Sequence, residues 1–274
     1  MIGPAPGDRS ETTGWGRGKL IAVLAAGVAV AVLLAAGVVV AVWSAVTGQR
    51  AVEPPAAAAG PHAQPTATGP AGDARDALAA APLTTAAPEQ AFPAALSPRD
   101  PGVIVLPRPT TVGPAGVPTG FPATTAGALA QLAAIDGTAM QSGSMPGVRA
   151  VIEQWAQPGG PTGESWTGVT GMISLLTGLG LSSAGSPQLA IIVRPAMGLI
   201  KGTVGDEFAV VCVDYEFTVT LHQTARAAIA DCQRMVWDGT TWRIGPGAEP
   251  APAPSVWPGT DAAIDAGYQE LRYA

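Results

Sequence analysis

The alternation of apolar and polar positions along the chain changes character four times. From Leu20 to Trp43 the chain carries no charged residue at all, in the run LIAVLAAGVAVAVLLAAGVVVAVW. A bilayer core of about 30 Å needs about 20 helical residues, so this run predicts a transmembrane helix over residues 19–46. A cleaved secretory signal has a shorter apolar stretch of about 7–15 residues, which favours an uncleaved anchor. Arg9, Arg17 and Lys19 precede the run and Arg50 follows it. Basic residues remain on the cytoplasmic side, so residues 1–18 are expected inside the cell and the rest outside. Trp15 and Trp43 flank the run, where indoles favour the interface.

Residues 47–115 lose the apolar pattern. They are mostly Ala, Pro, Thr and Gly, which bury too little surface to offset chain entropy, so a disordered Pro/Ala-rich tether is expected. Within it, Ala74–Ala81 suggests at most one helical turn and Val103–Leu106 a short edge strand. His62 has no evident role.

A folded domain is predicted over 116–247. Thr124 or Thr125 caps a first helix over 126–140. A second begins near Pro146, with Val148, Val151, Ile152 and Trp155 on one stripe, and a third spans about 164–179. The period then falls to two. Strands are expected at Leu189–Arg194 and Met197–Val204, joined or bent at Pro195, then at Glu207–Thr220 and Arg226–Trp237. Asp238-Gly239 reads as a two-residue hairpin turn that pairs Trp237 with Thr240 and Met235 with Trp242. Residues 248–274 form a Pro-rich extension. In it Thr260 caps a short docking helix with Ile264, Tyr268 and Leu271 on one side. Helices followed by a meandering antiparallel sheet define an α+β fold, with the helices packed on a curved sheet.

Composition narrows the functions. The formal net charge is -6 and charged residues make up 12% of the chain, so no basic surface for nucleic acid is expected. Asn is absent and Lys occurs only at Lys19 and Lys201, a bias typical of GC-rich coding.

The two cysteines, Cys212 and Cys232, lie symmetrically about His222. In a hairpin centred there they face each other within disulfide range, which predicts a disulfide. The alternative is a pair of buried thiols.

Catalytic signatures are missing: there is no nucleophile elbow, no Walker loop and no His-Glu-x-x-His. GLGLSSAG, residues 178–185, follows a helix rather than a strand and reads as a helix stop. No metal site and no cofactor is expected. Asp214, Glu216 and Asp231 share a cleft with His222 if the sheet closes over them, and a His–Asp pair performs acid–base work. If it does not, these acids face solvent and His222 caps a loop tip. The chain is therefore expected not to be an enzyme, with Asp214, Glu216 and His222 kept as a pocket candidate. Trp257, before Pro258, reads as a surface anchor.

Three strings carry a family resemblance: GVPTGFPATTAGALAQLAAID, DCQRMVWDGTTWRIGPG and APAPSVWPGTDAAIDAGYQEL. Over residues 100–272 the chain resembles actinobacterial membrane proteins encoded with conjugative and integrative elements. The resemblance implies a single-pass anchor, a Pro-rich tether and an extracytoplasmic domain with a nuclear transport factor 2-like (cystatin-like) fold. That fold also serves the assembly subunit of type IV secretion channels. The implied function is a non-enzymatic scaffold of a conjugative transfer or envelope machine, acting through protein–protein contacts. Its partners would be the lipid bilayer, other envelope proteins and further copies of itself. The rival is a tethered ligand-binding or enzymatic domain with a pocket inside the sheet cone. An open cone lined by Asp214, Glu216 and His222 favours the rival, and a cone filled by Trp and Met favours the scaffold.

Overall fold

The computed structural model describes residues 70–274. The expected anchor at 19–46, the cytoplasmic tail and the first part of the tether lie outside the described residues. Among the described residues no helix is long and apolar enough to cross a membrane.

The elements in chain order are α1 (Pro70–Ala80), β1 (Val103–Leu106), β2 (Thr111–Val112), β3 (Pro118–Thr119), α2 (Thr125–Gln141), α3 (Met145–Trp155), α4 (Thr167–Gly178), β4 (Ala190–Thr203), β5 (Phe208–Thr220), β6 (Thr224–Trp237), β7 (Trp242–Ile244), α5 (Asp261–Asp265) and β8 (Gln269–Tyr273). Six strands form one sheet in the order β1-β8-β4-β5-β6-β7, and β2 pairs with β3 separately. All pairings in the large sheet are antiparallel except β1 with β8. The fold is thus α+β with helices on an antiparallel-rich, curved sheet, as the change of period implies.

Side-chain hydroxyls start the helices. Thr124 Oγ1 accepts from Gly127 N at 3.0 Å and Ser144 Oγ from Gly147 N at 3.3 Å, each satisfying an otherwise orphaned N–H. Helices α2–α4 pack on one face of the sheet. Val211, Val213, Tyr215 and Phe217 of β5 meet Leu129, Leu132, Ile152 and Met172 there. Gly198 of β4 permits the close approach of α2: a β-carbon there would lie 2.7 Å from Leu129 and 2.8 Å from Leu271.

The strand from Ala190 to Thr203 is continuous, joined and bent at Pro195 as expected. The register shifts between Pro195 and Met197 and again between Ile200 and Gly202. A bulge absorbs the residue that cannot donate to the ladder and bends the strand.

The turn after β6 also differs from expectation. Trp237 pairs with Trp242 and Met235 with Ile244, so residues 238–241 form a longer loop. The Asp238 carboxylate accepts from the backbone of Thr240 at 2.9 Å and Thr241 at 2.8 Å, which stabilises this wider turn. Trp237, Met235 and Trp242 still share one face, and the two indoles meet edge to face at 5.6 Å.

The largest correction concerns the tether. Residues 70–115 are not a disordered linker: they carry α1, a 3-10 turn at Pro88–Ala91 and two strands, β1 and β2. Val103–Leu106 does form an edge strand. These segments, with residues 245–268, cover the outer face of the sheet. Ala79 and Leu78 pack on Phe208 and Val210. Leu83, Ala253, Val256 and Tyr268 pack on Cys212, Ala230 and Cys232. Ala91 and Trp257 pack on Ala228. Polar ties add to this: Lys201 Nζ donates to the Ala79 carbonyl at 2.8 Å, Arg234 pairs with Asp76, and Trp257 N donates to Gln90 O at 2.6 Å. Small Ala and Pro residues suit a strap laid flat on a sheet, because they lose little side-chain entropy. Trp257 is accordingly buried, not a surface anchor.

Thr260 caps α5 as expected, accepting from Ala263 N at 3.4 Å. The helix ends at Asp265, however, and Gln269–Tyr273 is a strand between β1 and β4. Gly267, at φ 89°, makes the reversal that a longer helix would forbid.

Candidate functional site

Period-two alternation in β5 sends Cys212, Asp214 and Glu216 to the outer face and Val213, Tyr215 and Phe217 to the helix-covered face. The pocket expected from Asp214, Glu216 and His222 therefore does not form. Asp214 is fully buried under the extension. Burial pushes its carboxyl well above the ordinary range, opposed by the Val256 backbone N–H. Glu216 is clasped by Arg194 and Arg226. His222 sits exposed at the hairpin tip. Straps fill the face where Asp214 and Glu216 lie, and the tip is too far along the hairpin to join them. Asp231 pairs with Val213 and so falls on the opposite, helix-covered face.

Cys212 and Cys232 are directly opposed, with Cα atoms 4.0 Å apart and their sulfurs bonded.

The polar cluster that does form lies between the helices and the sheet. A cavity of about 40 Å³ is lined there by Asp136, Met140, Trp166, Tyr215, Ile229 and Asp231. Asp136 and Met140 are one turn apart on α2, so they present to the same side. Tyr215 Oη donates to Asp136 Oδ2 at 2.5 Å. Burial drives the Asp136 carboxyl up to about 7, against the Tyr215 hydrogen bond and with help from the Glu249 charge. The Asp136 Oδ1 and Trp166 Nε1 atoms are buried and make no hydrogen bond within the protein.

A second cavity of about 30 Å³ adjoins the first along β6 and shares Thr167, Ala230 and Asp231 with it. Glu249 of the extension closes it. Its carboxylate accepts from Thr167 N at 3.2 Å, Thr167 Oγ1 at 2.9 Å and Gln233 Nε2 at 3.0 Å. Gln233 Nε2 also donates to Asp231 Oδ2 at 3.0 Å. Burial, then the charges of Asp136 and Glu249, push the Asp231 carboxyl well above its ordinary range, opposed by Gln233 and Thr167. Three carboxyl groups thus influence one another, and no basic side chain among the described residues is paired with any of them.

Asp136, Tyr215, Trp166 and Glu249 were not singled out by the sequence. The one available signal was Asp136 on the buried stripe of a helix, a charge where the period demands an apolar residue. No group of three His, Cys, Asp or Glu among the described residues is placed to hold a metal ion.

Compared with known proteins, the chain matches no protein-family model, no curated protein and no solved structure.

Proposed function

We infer that the protein is a non-enzymatic, membrane-tethered assembly component of a conjugative transfer or related envelope machine. In this reading the anchor at 19–46 holds it in the membrane. Its α+β domain, of the nuclear transport factor 2-like kind, works outside the cytoplasm through contacts with envelope proteins and with further copies of itself. The observation that carries the reading is the filling of the sheet's interior. Trp155, Trp166, Trp242, Met172 and Met235 are all buried there, and the cavity described above, among the described residues, has about 40 Å³ with about 30 Å³ more alongside. One water needs at least about 10–15 Å³ in that measure, so the cavity has room for a few water-sized atoms and not for a metabolite of ordinary size. The buried disulfide suits a domain in an oxidising compartment. The resemblance of the 116–136, 231–247 and 251–271 strings points the same way, although fold likeness by itself does not establish a function.

The test is site-specific photocrosslinking in intact cells at Val105 and Ile192, which are 55% and 60% exposed. Discrete adducts with envelope proteins or with a second copy are expected. A Gln64→Cys variant should be labelled by a membrane-impermeant maleimide before lysis. Absence of adducts at both positions would sink the scaffold, and labelling only after lysis would sink the tether.

A further inference from the structure

The two edges of the large sheet are finished differently. At β7 the edge is covered: Ala156 bridges Ile244, Gln157 N donates to Ile244 O at 2.8 Å, and Arg243 Nη1 donates to Gln154 O at 2.7 Å. At β1 the edge is open among the described residues, where β8 alone pairs with it. The pairing is parallel, with Gly102 O accepting from Glu270 N and Leu106 O from Ala274 N, both at 3.0 Å. Alternation then turns the backbone N–H and C=O of Ile104 toward β8 and those of Val103 and Val105 outward. Val103 and Val105 are 41% and 55% exposed, whereas Ile104 and Leu106 are buried under the helices. An edge of this kind, with no charge, bulge or proline within the strand, is a template for another strand.

The residues around β1 select which strand fits. The string DPGVIVLPR, residues 100–108, reads nearly the same in both directions about Ile104. Antiparallel pairing centred there sets Val103 against the partner's Val105, and Val105 against the partner's Val103. These are the residues whose backbone groups point outward, so each pair exchanges two hydrogen bonds. Ile104 meets its own counterpart at a non-hydrogen-bonded position, as its inward-turned groups require. Pro101 and Pro107 then oppose each other, and neither has an N–H, so the ladder stops on both sides. Beyond them the exposed Asp100 end of one strand lies beside the exposed Arg108 end of the other. A shift of two residues in either direction sets a proline against a valine and parts Asp100 from Arg108.

We propose that β1 is a self-association edge: two copies of the chain pair their β1 strands antiparallel about Ile104 and join their sheets into one. The inference rests on the scaffold reading, and names the surface and the partner for its contacts between copies. Four residues a side bury less area than a stable dimer needs in solution. The pairing is therefore weak by itself and gains from a tether that confines the copies to one membrane.

The experiment uses the purified full-length chain in detergent micelles. Its two cysteines are bonded to each other, so an added cysteine reports alone. Val103→Cys and Val105→Cys proteins are oxidised with copper phenanthroline, separately and as an equimolar mixture, at about 100 µM to suit a weak interface. Opposed Cα atoms at a hydrogen-bonded pair lie about 5.5 Å apart, within disulfide reach, while like positions sit on a diagonal of about 7–8 Å. The mixture should form crosslinked dimer at least about fivefold faster than either variant alone. Asp100→Arg in both proteins should slow that reaction severalfold at low salt, and Asp100→Arg with Arg108→Asp should restore it. The cysteines replace exposed residues, so the crosslinking comparison stands if the charge variants do not fold. Equal rates in the mixture and the single variants, a faster single variant, or no dimer from folded protein overturns the pairing. No envelope partner is present in this assay, so its failure leaves the scaffold reading standing. Adducts at Val105 in cells with envelope proteins and none with a second copy sink the self-pairing alone.

Discussion

The disulfide provides the sharpest test of how the outer face is built. Cys212 and Cys232 are 0% and 4% exposed, roofed by Ala253, Val256 and Tyr268. A reducing thiolate must reach a sulfur along the bond axis, so reduction of the native protein requires the strap to lift first. The strap is held by identifiable bonds. Tyr268 Oη donates to the Pro254 carbonyl at 3.1 Å, and Ala230 N donates to Ser255 Oγ at 3.0 Å. Tyr268→Phe keeps the ring and its packing and removes one hydrogen bond, about 1 kcal/mol. When closing is fast, cleavage follows the open population, so reduction should accelerate roughly fivefold. The assay is dithiothreitol treatment under native conditions, acid quench, alkylation and mass measurement over time. Once the bond is cut, a loop defined by a separation of 20 residues regains closure entropy worth about 3 kcal/mol. That is a sizeable part of the roughly 5–15 kcal/mol available to a domain. The reduced protein should remain folded at room temperature and melt several degrees lower. Equal reduction rates for wild type and Tyr268→Phe, both as fast as in urea, would show that no strap protects the bond.

Two further predictions follow from the same geometry. Asp136 has its folded carboxyl raised to about 7 by burial; a raised acid favours folding while protonated and loses that contribution as pH rises from about 4 to 7. Wild type should therefore lose about 2–4 kcal/mol relative to Asp136→Asn between pH 4 and 8 in urea titrations, and parallel curves would refute the burial. Lys201 Nζ bonds the Ala79 and Ala81 carbonyls at the end of α1. Limited proteolysis of wild type should leave a fragment beginning near residue 70, whereas Lys201→Met should be cut within 81–90; a wild-type fragment starting near 100 would restore the disordered tether.

The helices and the long strands were legible because each has a buried face whose period the sequence must obey. The stripe at Val148, Val151, Ile152 and Trp155 is one case, and the alternation through β5 is another. The cysteine pairing was legible because hairpin register is arithmetic once the tip is placed. Residues 70–115 were misread for a physical reason. Disorder was inferred from the scarcity of large apolar side chains, on the premise that a segment must supply its own core. Here the sheet supplies it: Ala79 and Ala91 are buried against Phe208 and Ala228. A strap made of Ala and Pro adds little apolar area of its own but excludes water from a face that is already apolar. The C-terminal helix was overextended for a related reason. Ile264, Tyr268 and Leu271 fit a helical spacing by coincidence, and Gly267 between them is the stronger signal.

The candidate site was missed because the sequence fixes which residues alternate but not which face the helices choose. Asp214 and Glu216 stand next to Cys212 on one side of β5, and Tyr215 stands on the other; both sides look equally core-like, since all three of Cys212, Asp214 and Tyr215 are buried. What breaks the symmetry is chain outside the strand. The helices before the sheet claim the face of Val213, Tyr215 and Phe217, and α1 with the extension claims the face of Cys212 and Asp214. The outer face of β5 holds two acids among the described residues, Asp214, fully buried and without an ion pair, and Glu216. Glu216 is neutralised by Arg194 and Arg226 at the margin of the straps. Asp136 and Asp231 are given a phenol, an amide and a hydroxyl but no cation. Buried carboxyls without an ion pair therefore lie on both faces of the sheet, Asp214 under the extension and Asp136 and Asp231 under the helices, and it is the chain outside the strand that decides which neighbours each acid meets.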